Sequence, residues 1–116
     1  MRRVRSWYVA TIVGFVGWSL CPGCGGAIRP DFDSAEPAAR NAAIIQAART
    51  NDRAAVPDLV RMLDSDDPAT RLLAISALER ITGHRRGYDP TESQASRDEA
   101  VTRWRRSLRE GGADTP

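Results

Sequence analysis

The chain is poor in the residues on which most catalytic and metal sites depend. Its 116 residues include one histidine, His84, and two cysteines that lie three positions apart. A zinc site needs a second pair of Cys or His ligands, so a complete site within one chain is not expected. The sequence also offers no paired carboxylates in a cleft, no glycine-rich phosphate loop and no nucleophile–base constellation. We therefore expect no catalysis, no metal and no cofactor.

Lysine is absent altogether, so positive charge comes only from arginine. Seventeen arginines face 15 acidic residues, and three of the arginines, Arg2, Arg3 and Arg5, lie at the N-terminus. Without these three, 14 arginines against 15 acids leave a net charge of −1. A nucleic-acid-binding domain needs a basic stripe on its folded surface. The charge balance gives little support for one, and we expect no nucleic-acid partner.

Long apolar runs are lacking as well. The best candidate, residues 7–20, is uncharged but has only 14 residues. A membrane-spanning helix needs about 20 apolar residues, whereas the apolar part of a secretory signal needs about 7–15. Arginines precede the run and small residues follow it. The segment therefore predicts a signal peptide over residues 1–23, with an uncleaved membrane anchor as the alternative.

Both cysteines lie at the end of this signal, as Cys21-Pro22-Gly23-Cys24. A redox pair would need a βαβ context and a helix N-terminus, and neither is predicted here. The segment resembles the lipobox of bacterial lipoproteins, in which a small residue such as Gly23 precedes the modified cysteine. That family prefers Leu where this chain has Cys21. The resemblance implies lipidation of Cys24; cleavage without lipidation is the alternative.

A lipidated Cys24 would fix the location of the chain. Several acyl chains, each contributing roughly 0.8 kcal/mol per buried CH₂, hold a domain firmly on a bilayer. The resemblance implies a lipid-anchored protein of the cell envelope that faces the periplasm. Gly25 stands where an Asp would signal retention, which implies the outer membrane. Residues 24–33 would then form a flexible tether.

Residues 33–52 return 31 positions later as residues 64–83. A period near 30 with helical patterning is typical of a stacked helical array, and such arrays favour binding over catalysis. The positions that coincide are Asp33/Asp64, Ser34/Ser65, Pro37/Pro68, Ala38/Ala69, Arg40/Arg71, Ala43/Ala74, Ile44/Ile75 and Arg49/Arg80.

The pattern predicts four helices. The first begins after Ser34 or Glu36, with Pro37 in its first turn. The second begins near Asp52, and the third has Asp67 as its N-cap and ends at Gly83. The fourth is expected to begin at Ser96, which would form a capping box with Glu99. Residues 110–116 are expected to be a disordered tail.

Residues 55–63, 67–71 and 77–83 together resemble HEAT-like repeats of the short bacterial type, which also occur in phycobilisome lyases. Residues 87–90 with 103–105 resemble a C-terminal extension that follows such repeats in bacterial envelope proteins. The resemblance implies an all-α fold, a short α-solenoid of HEAT-like helix pairs over residues 34–109. Its first helix would be a half-repeat without a partner helix.

Four arginines are candidates for partner binding: Arg40, Arg71, Arg103 and Arg106. The first two occupy the position where this family usually has an arginine. They could form a ladder that faces a ligand, or each could be held by its preceding turn, as by Asp67 four residues before Arg71. The other two belong to a basic concentration that could touch phosphates, lipid headgroups or an acidic partner, or could be a solvated face.

The remaining aromatic residues and the histidine have simpler interpretations. Tyr88 and Trp104 could form a binding site, but a terminal helix must bury its face, so they are expected to cover the open end of the stack. His84 is expected to be a solvated loop residue.

The sequence therefore predicts a protein-binding or scaffold module at the cell envelope, with an unidentified protein partner. One alternative is an accessory protein resembling phycobilin lyases that holds a chromophore or small ligand. Another is a structural envelope protein that self-associates, because arrays usually need about three repeats to bury a continuous core.

Overall fold

The computed structural model describes residues 26–111, and all regular structure in this part is helical. Helix α1 is Pro37–Thr50, and a single 3₁₀ turn, Arg53–Ala55, leads into α2, Val56–Met62. Helix α3 is Pro68–Thr82 and α4 is Gln94–Arg109. The predicted all-α fold is confirmed. The signal segment, Cys24 and residues 112–116 lie outside the described residues.

The helices form two layers. Helices α1 and α3 pack side by side, α2 packs against α3, and α4 packs against α2. Helices α2 and α3 are therefore a helix pair, and α1 and α4 each extend one layer. The core between the layers is continuous and is formed mainly by Ile44, Val56, Leu59, Val60, Leu63, Ile75, Leu78, Ile81, Tyr88, Val101 and Trp104. This arrangement confirms the short α-solenoid.

Helices α1 and α3 begin as predicted. Each has a proline in its first turn, where the missing N–H costs no hydrogen bond. The Asp67 carboxylate caps α3 by accepting from the Ala69 N–H at 3.0 Å. Asp52 is also a cap, but of the 3₁₀ turn, where it accepts from the Ala54 N–H at 3.0 Å. The α-helical part of the second helix therefore begins only at Val56.

The predicted start of α4 is wrong. The N-cap is Ser93, whose Oγ accepts from the Ser96 N–H at 3.3 Å, and the helix begins at Gln94. Two serines three residues apart offered two possible caps. The earlier one adds helical hydrogen bonds, such as Arg97 N–H to Ser93 O at 3.0 Å. Those additional bonds favour the longer helix.

The segment before α1 is attached to the helices. Phe32 is half-buried against the core, and the Asp31 N–H donates to Ala39 O at 3.1 Å. The Asp33 carboxylate lies 2.9 Å from the Arg61 guanidinium on α2. Residues 31–33, which the sequence assigned to the tether, thus lie on the helical body.

Candidate interaction surface

Arg40 and Arg71 perform the same structural task in their two repeat copies. Arg40 Nη1 donates to the carbonyls of Ser34 and Ala35 at 2.7 and 2.9 Å. Arg71 Nη1 donates to the equivalent carbonyls of Ser65 and Asp66 at 2.8 and 3.0 Å. Each guanidinium thus folds back from the fourth helical residue and fastens the turn before its own helix. We call this contact the arginine clamp.

Asp67 does not hold Arg71 in the way the sequence suggested. Its carboxylate accepts from the Thr70 hydroxyl at 2.8 Å and from the Ala69 N–H at 3.0 Å. These hydrogen bonds, the Thr70 one first, lower the pKa of the Asp67 carboxyl from its ordinary value. The carboxylate is therefore committed to its own helix, and the guanidinium turns to backbone carbonyls.

A third clamp lies on α4. Arg97 stands four residues after the Ser93 N-cap, as Arg40 stands after Glu36 and Arg71 after Asp67. Its Nη1 donates to the carbonyl of Glu92 at 2.6 Å. Arg97 was not predicted from the sequence, because it falls outside the 31-residue period. An arginine four positions after a helix cap was the available signal, but it depended on the correct cap.

Tyr88 and Trp104 cover the open end of the stack, as predicted. The Tyr88 hydroxyl donates to Leu63 O at 2.8 Å, and burial raises the pKa of this hydroxyl. Trp104 is fully buried, and its Nε1 donates to Arg85 O at 3.1 Å. The Arg86 guanidinium lies 5.0 Å from the centre of the Trp104 ring, within cation–π range. Each polar aromatic atom is used inside the protein.

Some of the arginines on α4 make contacts within the protein. Arg103 Nε donates to Arg86 O at 3.0 Å and closes the loop before α4. Gly87 lies beneath it at φ +75°, a backbone conformation that glycine adopts more readily than residues with a side chain. Arg105 pairs with Asp64. Arg106 is exposed on the same helix.

A polar contact joins α1 to α3. Thr70 is fully buried, and its Oγ1 lies 2.8 Å from Asn41 Oδ1 and 2.8 Å from Asp67 Oδ2. A hydroxyl carries one proton, so both hydrogen bonds form together if the Asn41 amide is turned to donate its nitrogen. The hydroxyl then donates to Asp67. This chain of contacts ties neighbouring repeat copies together.

Further towards the C-terminal ends of the same two helices, α1 and α3 line an open cavity of about 430 Å³, which we call the α1–α3 groove. Ile45 is the most accessible apolar side chain in its lining, at 45% exposure. The lining is mainly apolar, with charged groups among its members; it consists of Ile44, Ile45, Ala48, Leu73, Ser76, Ala77, Glu79, Arg49 and Arg80. A second cavity of about 430 Å³, beside the N-terminus of α4, is lined chiefly by Asp64, Asp66, Asp98, Arg71, Arg97 and Gln94, with Leu63 and Ser65. An apolar ligand surface fits only the first of these two.

Arg49 and Arg80 stand at equivalent positions of the two repeat copies, and both line the α1–α3 groove. Both side chains are exposed. Within residues 26–111, neither guanidinium has a hydrogen bond or ion pair. Their coincidence in the repeat is visible in the sequence, but nothing in the sequence distinguishes them from the other arginines. Their lack of partners is visible only in three dimensions.

Two features are absent from the described residues. No helix in this part of the chain is both long enough and apolar enough to span a membrane. No group of three or more His, Cys, Asp or Glu residues among them is arranged to hold a metal ion.

Comparison with known proteins agrees with the architecture. Residues 31–109, more than half of the chain, match the family described as HEAT repeats. The match begins at Asp31, where the segment before α1 makes its first backbone hydrogen bond to the helices. Neither the curated proteins nor the solved structures gave a match. Because the family matches residues 31–109 and these residues form two stacked repeat copies, the chain belongs to the HEAT-repeat family.

Proposed function

We propose that this chain is a protein-binding or scaffold module held at the bacterial cell envelope by lipid on Cys24. In this proposal the helical body faces the periplasm, with the outer membrane as its site. The observation that carries the binding role is the α1–α3 groove, an apolar surface that the fold leaves open. HEAT arrays present extended helical surfaces of this kind, and such surfaces suit binding better than catalysis.

The shape of the groove favours a protein partner over a small ligand. A small-molecule pocket usually encloses 70–90% or more of its ligand's surface. The α1–α3 groove lies between two neighbouring helices and is open to solvent, so it would leave a chromophore partly uncovered. A protein segment needs no such enclosure, because its own chain supplies the outer wall. The open geometry of the groove favours a scaffold over a chromophore-binding accessory protein.

Photo-crosslinking in cells tests the groove. A photoreactive amino acid replaces Ile45 in the full chain, and a matched protein carries it at Glu99, an exposed position on α4. We expect adducts with one or a few proteins from position 45 and none of these from position 99. A crosslinked adduct of twice the chain mass from position 45 would show that the groove binds a second copy of this chain rather than a separate partner. The same adducts from both positions, or none from position 45, would contradict the proposal.

The anchor has its own test. Cells fed a fatty-acid analogue should label the wild-type chain and the Cys21→Ala variant, but not Cys24→Ala. This result would support lipidation of Cys24, since Cys21 is the matched neighbouring thiol. Label that persists in Cys24→Ala would overturn the anchor. Separation of inner and outer membranes on a density gradient then tests the proposed outer-membrane site.

A further inference from the structure

We propose that the α1–α3 groove takes an acidic, partly apolar segment of the partner protein, whose carboxylates pair with Arg49 and Arg80. This inference rests on the proposed function, because it names the chemistry of a partner for the same groove. The apolar floor would receive apolar side chains, and the two arginines would receive the acidic ones.

The repeat itself places the two arginines on one rim. Arg49 lies in the last turn of α1 and Arg80 in the last turn of α3, and these helices pack side by side. Packed helices lie about 8–10 Å apart. Acidic residues two apart on an extended segment are separated by about 7 Å, which brings both within reach of flexible arginine side chains.

The charge on this rim is not balanced from within the described part of the chain. Glu79, the acidic residue that lines the groove, is paired with Arg85 at 2.8 Å. Arg61 forms ion pairs with Asp33 and Asp58, each at 2.9 Å. Arg40 and Arg71 are held by their clamps. Arg49 and Arg80 therefore carry the excess positive charge at the groove, and complementary carboxylates are what they lack.

Helix stability alone would explain one feature of these arginines but not their setting. A cation in the last turn of a helix interacts favourably with the helix dipole. That role needs no groove, and it would appear as a change in stability rather than in ligand choice. A flat anionic membrane fits less well, because sequence-readable lipid surfaces usually carry clusters of four or more basic residues.

The test is a selection of binding peptides. A random peptide library is selected on the full chain in mild detergent, and in parallel on an Arg49→Glu/Arg80→Glu double variant and on an Arg109→Glu variant. Arg109 is an exposed arginine on α4, outside the groove lining, so Arg109→Glu matches the charge change of each single substitution, Arg49→Glu or Arg80→Glu. Circular dichroism verifies that each variant is folded.

We expect peptides selected on the wild type to combine apolar residues with Asp or Glu. The double variant should lose this preference and favour Lys or Arg. A synthetic peptide selected on the wild type should bind the single variants Arg49→Glu and Arg80→Glu roughly 1.5- to 5-fold more weakly, as for exposed ion pairs. Its affinity should fall further with added salt and should be unchanged in Arg109→Glu.

The contrary results separate this inference from the proposed function. Two results would overturn the acidic partner and leave the groove as the binding site. In the first, the selected peptides are not enriched in Asp or Glu. In the second, their affinity is unaffected by charge reversal at Arg49 and Arg80 but is lost in Ile45→Asp. Peptides whose affinity is unaffected by Ile45→Asp as well, or a selection that yields no peptides, would contradict both the acidic partner and the groove as the binding site. A vesicle assay adds one outcome. Loss of preference for phosphatidylglycerol over phosphatidylcholine in the double variant, with peptide choice unchanged, would reassign the arginines to a membrane.

Discussion

Helices α1 and α3 are two copies of one pattern in two different positions of the stack. Both begin with proline, both carry an arginine clamp, and both end at a left-handed residue, Asn51 at φ 53° and Gly83 at φ 79°. Yet α3 has six buried residues and α1 has three. The shared residues determine the turns, whereas the position in the array determines how much of each helix is buried.

One equivalent pair shows what happens where the array stops. Asn41 of α1 contacts Thr70 of the following copy. Its equivalent in α3 is Leu72, which is 52% exposed. Within residues 26–111 no third copy follows in register, because the loop after Gly83 and helix α4 with its buried Trp104 come next in the chain. The end of the stack is covered by other means, and Leu72 is left at the surface.

The largest expected difference between the copies is in their cores. Ile75→Ala and Ile44→Ala remove equivalent side chains that are 0% and 1% exposed. Such truncations cost about 2–5 kcal/mol, depending on how well the site can relax. We expect Ile75, in the enclosed helix, near the upper end, and Ile44, which lines the open groove, near the lower end. Urea unfolding followed by circular dichroism measures both. An equal or larger loss at Ile44 would remove the distinction between edge and centre.

The next effect concerns the clamps. Arg71→Ala should lower the free energy of unfolding by about 1–3 kcal/mol, because the charged group donates two hydrogen bonds to backbone carbonyls. Arg40→Ala should cost less, since it fastens a turn at the edge of the stack. Lysine at either position keeps the charge without the forked donor and should recover only part of the loss. If the two arginines served only a partner, these variants would unfold like the wild type and differ only in binding.

The helix ends give a smaller contrast. Gly83→Ala should cost about 1 kcal/mol, because a side chain is disfavoured at φ 79° even though no atom lies within 4 Å of the added Cβ. Gly83→Asn should cost less, as Asn51 occupies the same kind of conformation in α1. Thermal unfolding of the two variants compares them directly. An alanine variant as stable as the asparagine variant would show that this glycine is not needed for its backbone angle.

The smallest effect concerns the caps and depends on pH. Asp67 caps α3 with its side chain, whereas Glu36 makes no side-chain cap on α1. At neutral pH, Asp67→Ala should therefore lower the free energy of unfolding, and Glu36→Ala should not. The folded-state pKa of Asp67 is lowered. Its contribution is therefore complete above the ordinary Asp pKa and is lost as the pH falls through the folded value. Unfolding curves at several acidic pH values should converge for wild type and Asp67→Ala. A constant difference across that range would contradict the assigned cap.

The sequence predicted most of the helical layout because its signals are local. An acidic residue followed by proline marks the start of α3, and a single glycine marks its end. The start of α4 was missed because Ser93 and Ser96 are both good caps. Arg40 and Arg71 were expected either to face a ligand or to be held by the turn before them, and the structure shows them held by that turn. The atoms that hold them were not predicted, because an arginine that binds backbone carbonyls needs no acidic residue at a fixed spacing. The exposure of Ile45 could not be predicted either, since the apolar residues surrounding it in α1 do not define a single face.

The central claim is that the α1–α3 groove is the surface on which this protein binds its partner. The most direct test measures the affinity of a selected peptide for the wild-type chain and for Ile45→Asp, together with the thermal stability of both. Because Ile45 is 45% exposed, the substitution should lower the unfolding temperature only slightly. We predict at least about tenfold weaker binding, as for an apolar anchor at an interface. Equal affinity in the two proteins, both folded at the temperature of the binding measurement, would show that the groove is not the binding surface.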